Sequence, residues 1–143
     1  MRTFLLRNED VEREWFVVDA TDQTLGKLAA RVARVLMGKD DPRWTPSTDS
    51  GNFVVVVNAE KVHVTGKKRT DKVYRYYTGY VGGLVEHTFA ELQARKPERI
   101  IELAVRRMLP KTRQGRAQFK RLRVYAGPEH QHQAQQPKPL AIA

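Results

Sequence analysis

The sequence predicts a single α/β domain whose central sheet contains parallel strands, and three features of the first 60 residues support this fold class. The segment Phe53–Asn58 has four consecutive valines without polar alternation, which is typical of an interior parallel strand covered on both faces. The segment Trp15–Ala20 is a second run of strand-forming residues. An amphipathic helix separates the two runs, so that strand, helix and strand form a right-handed βαβ unit within about 45 residues. A chain of 143 residues fits one domain of this kind better than two.

The helix after the first strand is predicted from apolar residues at helical spacing, namely Leu25, Leu28, Ala29, Val32, Val35 and Leu36. Asp22 or Thr24 can cap its start, and Gly38 is suited to its end. Residues 40–52 are rich in Pro, Ser, Thr, Asp and Gly, which predicts a loop. Residues 61–65 (KVHVT) alternate between polar and apolar side chains, which predicts a short, half-buried strand or an extension of the sheet.

Two helices are predicted in the C-terminal half. Thr88 and Glu91 form a capping box for a short helix that continues through Arg95. Pro97 is suited to the first position of the next helix, which Pro110 stops. The buried stripe of that second helix is predicted to consist of Ile100, Ile101, Ala104, Val105 and Met108.

The last predicted elements are a short helix over residues 115–122 and a strand over residues 123–127. Beyond them the chain is rich in Gln, His and Pro and has few side chains to bury. We therefore expect an N-terminal extension (residues 1–14), one α/β domain (residues 15–127) and a C-terminal tail (residues 128–143).

Composition excludes several classes of protein. The absence of cysteine excludes disulfide scaffolds, zinc ribbons, iron–sulfur clusters and thiol catalysis, and it suits a cytosolic protein. No apolar run approaches the ~18 residues that a membrane-spanning helix needs. The net charge of +10 is uneven: residues 1–60 hold 8 basic and 10 acidic side chains, whereas residues 61–143 hold 18 basic and 6 acidic ones. A basic excess confined to one half of the chain predicts a polyanionic partner.

The strongest basic segment lies between residues 104 and 123, which contain no acidic residue. Its cations are Arg106, Arg107, Lys111, Arg113, Arg116, Lys120, Arg121 and Arg123. Arginine offers phosphate a planar fork and lysine a mobile point charge, so we expect this segment to bind the phosphates of a polyanion. The alternative is a solvated basic surface, which the mutual repulsion of eight cations disfavours.

A second basic patch is interleaved with aromatic residues. It contains Lys67, Lys68, Arg69, Lys72 and Arg75, together with Tyr74, Tyr76, Tyr77 and Tyr80. Tyrosine can stack on an unpaired base, but we expect about half of these rings to pack in the core instead. A third, weaker patch consists of Lys27, Arg31 and Arg34 on the first helix, where such charges often simply face water.

The sequence contains no catalytic constellation. The turn after the first strand, ATDQTLG, lacks the glycines of a dinucleotide site, and TGKK lacks the rest of a P-loop. His130 and His132 are too isolated in a polar tail to predict a metal site. Four carboxylates could meet in space, although nothing in their spacing requires it: Asp19, Asp22, Asp49 and Glu60. The residues themselves therefore indicate no enzyme activity, cofactor, metal or small-molecule substrate, although they leave the alternative of a nucleotide-binding enzyme open.

Several long segments resemble the bacterial-type L13 family of large-subunit ribosomal proteins. They read WFVVDATDQTLGKLAARVARVLMGK (15–39), DSGNFVVVVNAEKVHVTGKK (49–68), DKVYRYYTGYVGG (71–83), PERIIELAVRRMLPKTRQGR (97–116) and LRVYAGPEHQHQAQQP (122–137). The resemblance implies a three-layer α/β/α domain with a mostly parallel four-stranded sheet. It also implies direct binding to large-subunit ribosomal RNA early in assembly, a structural role, neighbouring ribosomal proteins as partners and a cytoplasmic location, with no membrane and no self-association.

The resemblance also implies which positions contact RNA. Carried over by motif, these are Lys67, Lys68, Arg69, Lys72, residues 76–80, Arg106, Arg107, Lys111, Arg113 and Arg116, while His130 and His132 contact RNA or protein without metal. The chain departs from the family pattern at Val81 and Gln131, where proline is frequent, and at Arg107, where glycine is frequent. From the residues alone, two alternatives remain open: a small nucleotide-binding enzyme or regulator, and a module that binds acidic proteins.

Overall fold

The computed structural model describes residues 3–142 and contains two β-sheets and five α-helices within that range. The main sheet consists of β1 (Trp15–Asp19), β2 (Phe53–Val57), β5 (Leu122–Val124) and β6 (Lys138–Pro139). Between them lie α1 (Leu25–Met37), α2 (Lys68–Asp71), α3 (Phe89–Arg95), α4 (Pro97–Met108) and α5 (Arg113–Phe119). The second sheet is an antiparallel hairpin of β3 (Val73–Tyr77) and β4 (Leu84–Thr88).

All four strands of the main sheet are parallel, in the order β5-β2-β1-β6. Val54 and Val56 of β2 join α1 and α4 in the principal core, while Val55, on the opposite face of the strand, is also fully buried. Burial on both faces explains the four consecutive valines of β2. The predicted three-layer α/β/α fold with a four-stranded sheet is confirmed.

Helix α1 follows its prediction closely. Gly38 ends the helix with a left-handed φ of 79°, and its amide donates to the carbonyls of Arg34 and Val35. Thr24 occupies the N-cap position, but its side chain makes no capping hydrogen bond. Asp22, the other predicted cap, instead adopts a positive φ in the turn before the helix. The first turn of α1 therefore has no side-chain cap.

The predicted strand at residues 61–65 does not form. A 3₁₀ turn over Ala59–Lys61 follows β2, and only one bridge, between Thr24 and His63, joins the segment to the rest of the chain. This bridge positions the start of α1, because the His63 carbonyl accepts a hydrogen bond of 2.9 Å from the Leu25 amide. Alternation over five residues was too short to distinguish a strand from an extended connection.

The helices α3 and α4 begin where the sequence predicts. The Thr88–Glu91 capping box is present at the start of α3, and Pro97 is the first residue of α4. Ile100, Ile101 and Val105 are buried and Ala104 is partly buried. Met108, which was predicted to complete the buried stripe, is instead exposed in the last turn of α4.

Both ends of the chain pack on the domain. Leu6 is buried, and its carbonyl accepts from the Thr48 hydroxyl at 2.7 Å. At the other end, β6 pairs with β1, and Leu140 and Ile142 pack against the core. The fourth strand of the sheet thus comes from the segment predicted to be a tail with little to bury. The outermost parts of both segments, residues 1–2 and 143, lie outside the described residues.

Candidate nucleic-acid interface

A groove of about 700 Å³ lies between α4 and α5. Leu103, Leu109 and Phe119 contribute apolar surface to it. Its cations are Arg106, Arg107, Lys111, Arg116 and Lys120. Within residues 3–142 no carboxylate lines this α4–α5 groove, and none forms an ion pair with these cations. All five side chains are on exposed residues, so their charged groups are free to meet an external anion.

The groove depends on a tight connection between its two helices. Leu109 is extended and buried after the last turn of α4, and the Thr112 hydroxyl then accepts from the Gly115 amide to begin α5. A β-carbon on Gly115 would lie 1.8 Å from the Pro110 carbonyl oxygen. Glycine is therefore required at residue 115 for the helix to approach the preceding turn this closely.

The two basic segments predicted separately from the sequence meet around a second cavity of about 300 Å³. Lys68 of α2, Lys72 after it and Arg107 of α4 all line this cavity. Two other cations of the second patch lie nearby in the chain: Lys67 precedes α2 and Arg69 lies within it, and both are exposed. Helix α2 forms one helical turn within the predicted basic loop. The fold thus brings residues 68–72 and 107 into one surface.

The structure separates the tyrosines of the second patch. Tyr74 is buried in the core, with the Lys72 ammonium group 5.4 Å from its ring centroid. Tyr76, Tyr77 and Tyr80 are exposed, with Tyr80 79% exposed at the tip of the hairpin. One of the four rings is therefore in the core, rather than the expected half. The sequence could not show this division, because both faces of β3 carry aromatic residues.

Arg121 has a different environment from its basic neighbours. Its guanidinium makes two hydrogen bonds of 2.6 Å to the Asp49 carboxylate and one of 3.0 Å to the Leu36 carbonyl. The residue is only 7% exposed, so it is not available to an external phosphate. The prediction of Arg121 as an RNA-binding residue is corrected: it joins α1, the loop of residues 40–52 and β5. Arg123, two residues later, is exposed.

Other predicted cations have intramolecular partners. Arg31 and Arg34 both form ion pairs with Asp40, at 2.9 and 3.3 Å. The third patch, on α1, therefore offers less uncompensated positive charge to an external anion. Lys27 on the same helix is exposed without such a pair among residues 3–142. Arg75 pairs with Glu86 across the hairpin. Lys111 and Arg113, by contrast, remain exposed in and beside the groove.

The two tail histidines pack on the sheet. The His132 ring lies 4.9 Å from that of Trp15, which itself stacks on Phe53 at 4.4 Å. The Tyr125 hydroxyl and His132 Nε2 are 3.0 Å apart, and His130 stacks beside His132. Burial lowers the pKa of His132, with a smaller contribution from Arg123. These contacts give His132 a packing role and keep its ring neutral near pH 7.

One group of basic residues was missed by the sequence analysis. Arg95, Lys96 and Arg99 surround a third cavity of about 340 Å³, together with Tyr76 and His87. The sequence signal was present, since three cations fall within five residues at the junction of α3 and α4. The signal was weak because glutamates are interspersed with these cations, and because the helix-capping pattern of the segment indicates helix starts rather than a binding surface.

Two of the four carboxylates singled out in the sequence have partners within residues 3–142. Hydrogen bonds from the Thr21 side chain and amide and from Asn58 lower the pKa of Asp19, at the end of β1. Asp49 is engaged by Arg121. Within residues 3–142 no three His, Asp or Glu side chains are placed to hold a metal ion. In the same range no helix combines the length and apolar character needed to cross a membrane.

The family model described as Ribosomal protein L13 matches residues 13–131. The chain belongs to the ribosomal protein L13 family. The resemblance noted in the sequence is thereby confirmed, and with it the assignment to a family of structural proteins of the large ribosomal subunit.

Proposed function

We propose that this L13-family protein binds large-subunit ribosomal RNA directly, early in subunit assembly, and then stabilises the folded RNA without catalysing a reaction. In this proposal the folded domain is a rigid platform in the cytoplasm, and its basic surfaces neutralise phosphates that would otherwise repel one another. RNA is recognised by shape, because several basic surfaces must be matched at once.

The observation that carries the proposal is the α4–α5 groove. Five exposed cations surround apolar surface there, with no carboxylate to compensate them among the described residues. Like charges held this close repel one another, so a bound polyanion lowers the electrostatic free energy of the surface. Arg107 lines both the groove and the second cavity.

The hairpin offers a different kind of contact. Tyr77, Tyr80, Val81 and Leu84 are exposed at its tip, and residues 78–83 carry no charge. We propose that Tyr76, Tyr77 and Tyr80 stack on unpaired bases, since aromatic stacking tolerates any base. Neighbouring ribosomal proteins are the second class of partner in the proposal. The isolated protein is expected to remain a monomer, which sedimentation equilibrium measures.

Charge reversal in the groove tests direct RNA binding. The variant Arg106→Glu/Arg107→Glu/Lys111→Glu should weaken binding to large-subunit ribosomal RNA by about 100-fold or more and reduce the slope of log K against log salt by about 2 to 3. Filter binding at several salt concentrations measures both quantities, and circular dichroism checks the fold. The matched control is Arg7→Glu/Lys39→Glu/Lys61→Glu, which changes the net charge equally outside the three cavities.

Equal losses in the two triple variants would show that only net charge matters, and unchanged binding by a folded groove variant would refute the proposal. Assembly order needs a separate measurement. Tagged protein should sediment with precursors of the large subunit as well as with the mature particle in sucrose gradients of cell lysate. Its presence in mature subunits alone would contradict an early role.

A further inference from the structure

The second cavity lies between the first turn of α1 and the end of α4, and we call it the α1 cavity. It has the features of an anion-binding site. Its volume is about 300 Å³, and its cations come from two segments of the chain: Lys68 and Lys72 from α2 and its C-cap, and Arg107 from α4. Among the described residues that line it, none is acidic. None of the three cations forms an ion pair within residues 3–142. Positive charge therefore converges here without internal compensation.

The start of α1 faces the same cavity. Within residues 3–142 the Leu25 amide has the His63 carbonyl as acceptor, whereas the amides of Gly26 and Lys27 have none. The first turn contains no acidic residue, and Thr24 supplies no side-chain cap. A β-carbon on Gly26 would have no heavy atom within 4 Å, so the backbone is open at this point. Free amides at the positive end of a 13-residue helix attract an anion.

Tyr74 provides an independent indication. Its ring lines the α1 cavity, the residue is 7% exposed, and its hydroxyl is buried without a hydrogen-bond partner among residues 3–142. Leaving a buried hydroxyl without a hydrogen-bond partner is unfavourable. Burial raises the pKa of this hydroxyl, and the nearby Arg107 opposes part of the rise. The Lys72 ammonium group lies 5.4 Å from the centroid of the same ring, so this unpaired hydroxyl belongs to a side chain that contacts one of the three cations.

We propose that the α1 cavity binds one phosphate group, with the amides of Gly26 and Lys27 as donors and Lys68, Lys72 and Arg107 as counter-charges. Three cations and an uncapped helix start fit a tetrahedral oxyanion better than a planar apolar ligand. The phosphate can come from the RNA backbone or from free inorganic phosphate. Only the first source rests on the proposed RNA-binding function.

Gly26 allows a substitution that blocks the anion without damaging the helix. Gly26→Asp places a carboxylate beside the free amides, where it complements the helix dipole but repels phosphate. Ala30→Asp, on an exposed residue one turn further along α1, adds the same charge away from the cavity. Thermal unfolding should show both variants folded.

Two measurements use these variants. Inorganic phosphate, titrated against chloride at equal ionic strength, should shift the amide resonances of Gly26 and Lys27 saturably in the wild type and Ala30→Asp. In Gly26→Asp the affinity for inorganic phosphate should fall about tenfold or more. Filter binding to large-subunit ribosomal RNA then compares Gly26→Asp with Ala30→Asp, and an affinity loss specific to Gly26→Asp identifies the RNA backbone as the source.

The outcomes separate the two proposals. A phosphate response without an RNA effect assigns the cavity to free phosphate, and an RNA effect without a phosphate response assigns it to the RNA backbone. If Gly26→Asp and Ala30→Asp behave alike with both probes, or if the wild type responds to neither, the α1 cavity is not a phosphate site. Loss of RNA binding in the groove variant alone would leave the proposed function intact. Conversely, a wild-type protein that binds phosphate but not RNA contradicts the proposed RNA-binding function and leaves the phosphate site intact.

Discussion

The α4–α5 groove and the junction around Arg121 are neighbours in the chain, and they use arginine in opposite ways. Arg116 of the groove is exposed, with no carboxylate paired to it among residues 3–142. Arg121 is buried, and both terminal nitrogens of its guanidinium donate hydrogen bonds, to the Asp49 carboxylate and the Leu36 carbonyl. The comparison shows that a run of like charges can combine a binding surface with an internal brace. What distinguishes them is whether a distant carboxylate reaches the cation.

The largest expected effect is on stability, at the junction. Arg121→Met should lower the free energy of unfolding by about 3 kcal/mol, because it leaves the partly buried Asp49 carboxylate without its partner. Arg116→Met, the matched change in the groove, should alter it by less than about 0.5 kcal/mol. Urea unfolding followed by tryptophan fluorescence measures both. Similar losses in the two variants would remove the distinction between groove and junction.

A smaller effect is expected from the glycine that shapes the groove. Gly115→Ala should destabilise the protein by about 2 kcal/mol, because the new methyl group collides with the Pro110 carbonyl. Gly26→Ala meets no neighbouring atom and should be neutral or slightly stabilising in a helix. Thermal unfolding compares the pair. If Gly115→Ala unfolds like the wild type, the close approach of α5 to Pro110 does not define the groove.

The smallest effect concerns pH and the packed tail. Because burial lowers the pKa of His132 below its usual 6.5, the unfolded chain binds the proton more readily. The contribution of the packed His132 ring to the free energy of unfolding is therefore complete above pH 6.5. It is lost as the pH falls through the pKa of His132 in the folded state. His132→Phe should flatten this part of the stability profile between pH 7 and 5, whereas Gln131→Ala should not. Urea midpoints across that range measure it, and identical profiles for all three proteins would show that His132 is not buried in solution.

Much of the fold could be predicted because its signals are local. The valine run of β2, the apolar stripe of α1, Gly38 at its end and the Thr88–Glu91 capping box each lie within a few residues. Local signals failed where pairing was long-range. The strand β6 forms only because β1 offers it an edge more than 100 residues away, and its Lys138–Pro139 pair has little strand propensity of its own.

The candidate site was predicted less evenly than the fold. The sequence analysis predicted most cations of the groove and the second patch, because lysine and arginine can be read directly from the sequence. It could not show that Lys68 and Arg107 share a cavity, or that Arg95, Lys96 and Arg99 lie together beside Tyr76. It also could not separate the core ring of Tyr74 from the exposed rings on the same hairpin.

The sequence by itself determined the parallel α/β class, the family and the basic character of the C-terminal half, because periodicity, motif and net charge are properties of neighbouring residues. Tertiary structure alone decided which cations face outward. Arg121 turns inward because Asp49 and the end of α1 meet it there, and Lys68, Lys72 and Arg107 converge because α2 and α4 pack beside the start of α1. The direction of a charged side chain depends on partners that are distant in the chain, and only folding brings them together.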